Sequence, residues 1–198
     1  MAIAHKRLVA VQYQVDKDGW YYNMATIFSG DSGGTAVTTT TQKVLQVVNL
    51  VYSTQGSMTV GTSDTNITGM NLSITPKGAG SKFRIDVRLF GETFAAWSTV
   101  FNIHRGSTRI NTTGNQLYHG LSMMTQTYGG GTNRTSTPEI LHLTAIDSTG
   151  SSVGTAITYT LVASADSNYT LYINRCYTAP ANIKESGISE IIITEIEA

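Results

Sequence analysis

Lys82-Phe83-Arg84-Ile85-Asp86-Val87-Arg88-Leu89-Phe90 decides the fold class. Phe83, Ile85, Val87 and Leu89 alternate strictly with Lys82, Arg84, Asp86 and Arg88, the period of two that belongs to a strand with one buried and one wet face. On the N-terminal side, Met70, Leu72 and Ile74 alternate with Asn71, Ser73 and Thr75 in the same way, and Pro76-Lys77-Gly78-Ala79-Gly80 turns the chain between the two stretches. On the C-terminal side, Phe101 and Ile103 lead through Arg105-Gly106-Ser107 to Arg109-Ile110, which reads as a hairpin. Leu141 and Leu143, then Ile157, Tyr159 and Leu161, then Leu171 and Ile173 mark further strands. The last, Glu190 to Glu197, sets Ile191 and Ile193 on one face and Ile192 and Ile196 on the other, so both faces ask to be covered. No stretch keeps apolar residues at helical spacing. Short strands with Gly-rich turns predict an all-β chain built as a sandwich or jelly roll.

The whole chain fits this reading. Its 198 residues suit one domain with a small appendage. Charged residues make up only 13%, about half the usual share, and 30 threonines, a strand-favouring type, fill much of the space. With 40% apolar residues the chain can bury a core. A formal net charge of zero argues against a nucleic-acid partner. No apolar run reaches the roughly 18 residues that cross a bilayer, so no membrane is expected. Met1 to Val11 lacks the apolar core of a signal peptide, and assembly in a cytoplasm is expected. The N-x-S/T sequons at Asn66, Asn71, Asn111, Asn133 and Asn168 then read as by-products of Thr/Ser richness. One cysteine, Cys176, excludes a disulfide within the chain and reads as a structural thiol.

Residues 1–42 read as a separate arm. It holds an alternating stretch from Leu8 to Val15, an aromatic cluster at Trp20, Tyr21 and Tyr22, and a linker-like run, Ser29-Gly30-Asp31-Ser32-Gly33-Gly34, followed by Thr38 to Thr41. Residues 43–198 form the domain proper.

Motifs that carry chemistry are few. Gly30-Asp31-Ser32-Gly33-Gly34 matches the nucleophile loop of chymotrypsin-like proteases, but only His5 precedes it, and no room exists upstream for the aspartate and barrel that chemistry requires. His5, His104, His119 and His142 show no local metal-site spacing and read as surface or interface histidines; three copies of one could still gather on a trimer axis. Asp16-Lys17-Asp18-Gly19 opens like a calcium loop but lacks the later acidic ligands, and reads as a turn between two short strands. Glu139, Glu190, Glu195 and Glu197 form no pair flanking a cleft, which leaves glycoside hydrolysis unsupported. No enzyme, cofactor or metal is expected.

Three blocks carry a resemblance. Leu72-Ser73-Ile74-Thr75-Pro76-Lys77-Gly78-Ala79-Gly80-Ser81-Lys82-Phe83-Arg84-Ile85, with the hairpin Ile103-His104-Arg105-Gly106, is the first. Thr158-Tyr159-Thr160-Leu161 with Leu171-Tyr172-Ile173-Asn174-Arg175 is the second, and Ser189-Glu190-Ile191-Ile192-Ile193-Thr194-Glu195-Ile196 the third. Together they resemble jelly-roll virion structural proteins of tailed phages, of the cyanophage and marine-phage type, over roughly residues 44 to 198. Cys176 departs from the usual pattern, where Ser is common, and the arm has no counterpart. The resemblance implies a trimeric jelly roll like the heads of tumour necrosis factor or C1q, carried on a tail fibre or the capsid exterior.

The resulting expectation is a non-enzymatic protein of the virion surface. It is a homotrimeric capsid decoration or cement protein, docked on the major capsid protein by its extended N-terminal arm through Trp20, Tyr21, Tyr22 and Phe28. A chain without a repetitive shaft is unlike a free-standing fibre, and a trimeric knob suits the threefold points of an icosahedral shell. Ile191, Ile193 and Tyr172 are the expected trimer contacts. The alternative is a tail-fibre or tail-tip protein that binds a host surface glycan or protein through the Tyr/Met/Gly loop, with Tyr118, His119, Met123 and Tyr128 outward.

Overall fold

The computed structural model describes residues 14–16, 19–21, 42–95, 98–110, 122–123, 137–178 and 183–198. The chain divides into two compact units, Met1–Lys43 and Val44–Ala198. In the first, β1 (Gln14–Asp16) and β2 (Gly19–Tyr21) pair antiparallel, with Asp16 opposite Gly19; Lys17 and Asp18 of the calcium-like run lie outside the described residues.

The second unit is a two-layer antiparallel β-structure, with no α-helix among its described residues. The strands in chain order are β3 (Val44–Tyr52), β4 (Gly56–Val60), β5 (Thr65–Ile74), β6 (Lys82–Thr93), β7 (Thr99–Arg105), β8 (Thr108–Arg109), β9 (Ser122–Met123), β10 (Glu139–Asp147), β11 (Ile157–Ala165), β12 (Tyr169–Ile173) and β13 (Ser189–Ile196). One sheet runs β3-β13-β6-β10; beyond Arg88 the β13 side of β6 passes to β12, which carries β4. The other runs β5-β11-β7, with β8 and β9 both on β7. The Pro76–Ser81 turn is therefore a crossing from one sheet to the other, whereas Gly106-Ser107 closes a hairpin between Arg105 and Thr108. Gly106 stands first in that two-residue link at φ 59°, the left-handed conformation that glycine adopts without strain.

The core lies between the layers. Phe83, Ile85, Val87 and Leu89 of β6 point inward with Leu141 and Leu143 of β10 and Ile191 and Ile193 of β13. They meet Ile67, Met70 and Ile74 of β5, Phe101 and Ile103 of β7, and Tyr159 and Leu161 of β11. Phe83 and Tyr159 touch across the layers with ring centroids 5.9 Å apart. Each such side chain taken out of water contributes roughly 1.5–3 kcal/mol, which is why the alternation in β6 holds the register.

Candidate functional site

Two of the expected trimer contacts are corrected by their burial. Ile191 and Ile193 are 0% exposed within a single chain, because their pleat turns them into the domain's own core against Val87 and Ile85. Neither side chain is left for a neighbour. Tyr172 is buried as well, covered by Phe94 and Tyr177. The outward residues of β13 are Glu190, Ile192, Thr194 and Ile196, all half-buried.

The surplus apolar surface lies beside them. β3 reads Val44-Leu45-Gln46-Val47-Val48-Asn49-Leu50-Val51-Tyr52 and holds seven apolar residues and no charge, yet none of its residues is buried. Val47 is 57% exposed, and Val44 and Val51 are similar. One edge of β3 pairs with β13, and no strand among the described residues pairs with the other. Long, uncharged, apolar edges are templates for association, and monomeric proteins blunt them with charge, proline or a bulge. Three rows cross the outer face of this sheet: Val51-Glu190-Arg88-His142, Asn49-Ile192-Asp86-Thr144 and Val47-Thr194-Arg84-Ile146. Charge occupies the middle of the face, where Arg84 is paired with Asp86 at 2.9 Å. Aliphatic side chains occupy both margins: the valines of β3, and Ile140 and Ile146 of β10, each about half exposed.

The buried carboxylates, where chemistry would be sought, are held by donors. Glu195 of β13 accepts from the backbone N–H groups of Lys77 (2.9 Å) and Gly78 (2.9 Å) and from Gln46 Nε2 (2.6 Å). Burial raises its proton affinity, but these donors, with Ser81, outweigh burial and hold its carboxyl below the ordinary value. The last strand thus clamps the Pro76–Ser81 crossing, so the first and third sequence blocks meet in space. Asp147 of β10 is buried and accepts from Arg105 Nη1 (2.8 Å), Tyr159 OH (2.7 Å) and the Thr149 N–H (2.9 Å). Here too burial is outweighed, chiefly by Thr149 and Tyr159, and the carboxyl is lowered; Tyr159 is pushed up by its own burial and by Asp147.

Asp64 binds His104 Nε2 at 2.7 Å and the Arg109 guanidinium through both oxygens. Its carboxyl is lowered against the pull of burial by these two partners. His104 is therefore a hydrogen-bond partner of Asp64 that ties the segment before β5 to β7, where a plain surface or interface histidine was expected. Three such carboxylates, each saturated by donors, are structural fasteners. Among the described residues no three His, Cys, Asp or Glu side chains are grouped to hold a metal ion.

At the pole of the sandwich opposite Val44 a third buried carboxylate, Glu92, stands next to last in β6. Its Oε1 accepts from the N–H and hydroxyl of Thr137 (both 2.9 Å), and its Oε2 from the N–H of Tyr177 (2.6 Å). Phe94, Tyr172 and Tyr177 form a mutual edge-to-face triad with centroids 5.4–6.3 Å apart. The Arg175 guanidinium lies 5.4 Å from the Tyr172 ring centre. The Cys176 thiol is buried and donates to Glu185 at 2.9 Å, so it is bound in the pole's framework as a structural thiol.

Of the attachment residues, Trp20 and Tyr21 lie in β2 and nothing is described of their side chains, while Tyr22 and Phe28 lie outside the described residues. In the expected receptor loop, Met123 lies in β9 opposite Val100, and Tyr118, His119 and Tyr128 lie outside the described residues, as does Gly30 to Gly34. Sequence reasoning passed over β3 and Tyr177. The signal for β3 was present as nine residues without a charge; Tyr177 had none, since Glu92 stands 85 positions away. Comparison of the sequence with protein-family models and with curated proteins finds no match.

Proposed function

We propose that this chain is a non-enzymatic structural protein of a tailed-phage particle. It is a jelly roll that closes into a homotrimer and decorates the head surface, docked on the major capsid protein by residues 1–42. The observation that carries the self-assembly is the pair of aliphatic margins on one sheet, β3 on one side and β10 on the other. Two different margins on one subunit suit a heterologous contact, in which β3 of one copy meets β10 of the next and the ring closes. The threefold count comes from the sequence resemblance.

The strand order supports the jelly-roll reading. Successive strands β5, β6 and β7 alternate between the sheets, as do β10, β11 and β12, and β13 lies between β3 and β6. That interleaving is what two Greek keys wound together produce. Saturated carboxylates support a scaffold over a catalyst. The alternative, a tail-fibre or tail-tip protein that binds the host, is favoured by the exposed Tyr177 ring at the pole opposite the start of the domain. A cryo-EM map of the parent particle separates the two. Knobs at threefold points of the capsid lattice, fitted by Val44–Ala198, are the expected result, and density confined to the tail overturns the head-surface reading.

A further inference from the structure

Tyr177 combines two properties that rarely meet on a surface. The residue is 48% exposed, yet both of its main-chain polar groups are held by the side chains of Glu92 and Arg175. The N–H donates to Glu92 at 2.6 Å, and the carbonyl accepts from Arg175 Nη2 at 3.0 Å. Its ring rests on Phe94 and Tyr172, 5.4 Å from each, at 62° and 76°. Glu92 is a carboxylate 3% exposed, and burial of a charge is unfavourable unless donors compensate. One oxygen of that carboxylate holds Thr137, and the other is given to the position of a solvent-facing ring, which does little for the core. It does remove the freedom that a loop tyrosine would otherwise lose on binding, which is how preorganised aromatic contacts gain affinity.

We infer that this pole is a saccharide-binding site, in which the Tyr177 ring stacks on the C–H face of a pyranose and Arg175 reaches oxygens at the sugar's edge. A pyranose presents a face of weakly positive C–H groups bordered by hydroxyls, the complement of an aromatic face with its negative quadrupole and a donor beside it. The described hydrogen bonds of Arg175 use Nε and Nη2 and leave Nη1 for such an oxygen. A protein partner fits less well. It needs about 800 Å² a side around a central aliphatic or aromatic cluster, and here one ring is offered among polar groups. The inference stands for a head or a tail protein alike.

The test is binding of the full chain to an array of neutral and uronate-bearing hexopyranose oligosaccharides, followed by titration of the best ligand. Tyr177→Phe keeps the ring and should bind within a few-fold of the parent. Tyr177→Ala should weaken binding roughly tenfold or more, with the oligomer mass unchanged. A failure here thus remains separate from a failure of the assembly reading. A parent chain that binds no oligosaccharide on the array overturns the inference, and so does a Tyr177→Ala chain that binds as well as the parent.

Discussion

Asn174 shows how much a single residue can hold in this fold. It is the only non-glycine described at positive φ, 59°, a conformation that asparagine tolerates better than most. Its Nδ2 donates to the carbonyls of Tyr52 (2.8 Å) and Thr54 (3.0 Å), and its Oδ1 accepts from Ser189 Oγ (2.7 Å), which in turn accepts from the Phe90 N–H (3.0 Å). Four segments are thereby joined through one side chain. Asn174→Ala should destabilise the domain by roughly 1–3 kcal/mol, since the carbonyls of Tyr52 and Thr54 and the Ser189 hydroxyl lose their partner and the backbone is strained; urea unfolding checks it. Glu195 plays the same part at the other pole, and Glu195→Gln should lower stability by about 1–3 kcal/mol, because the amide offers one acceptor where two N–H groups and a second amide donate. None of this was legible in the sequence. Asn174 and Glu195 sit in blocks that the resemblance marked, but their partners lie far off in sequence, and side-chain bonds across such distances leave no periodic trace.

The strands were the legible part. In β6 and β10 the alternation of apolar and polar residues gave the inward face correctly, because burial against a second layer is what selects that pattern, whereas β11 is buried at every residue from Tyr159 to Ala165. β13 shows the limit of the same reasoning. Its four isoleucines said that both faces were apolar, but which face served the domain depended on pairing with β6, and the inward pair proved to be Ile191 and Ile193. The outward cover is sought instead at β3 and β10. Val47→Glu places a charge on an open edge, which is how natural sheets block association. It should dissociate the oligomer while the far-UV circular dichroism stays unchanged, and Ile146→Glu should do the same from the other margin. Retention of the oligomer in both variants, measured by light scattering, would remove the two margins from the interface.

At the scale of the whole molecule, acid sensitivity follows from the carboxylates held by donors. Asp64, Asp147 and Glu195 have folded-state values below their ordinary 3.8 and 4.5, so each contributes stability above its unfolded value and loses it as pH falls through the folded one. Thermal stability should therefore hold from neutrality down to about pH 5 and fall steadily below pH 4, and Glu195→Gln should make that fall shallower. A flat profile to pH 3 would mean that these fasteners add nothing. The central claim is that the chain assembles with itself through its two aliphatic margins. Native mass spectrometry of the purified full chain tests it most directly. Three times the 21.3 kDa chain mass, reduced to one in Val47→Glu, is the expected result; a parent chain that stays at a single chain mass at micromolar concentration would contradict it.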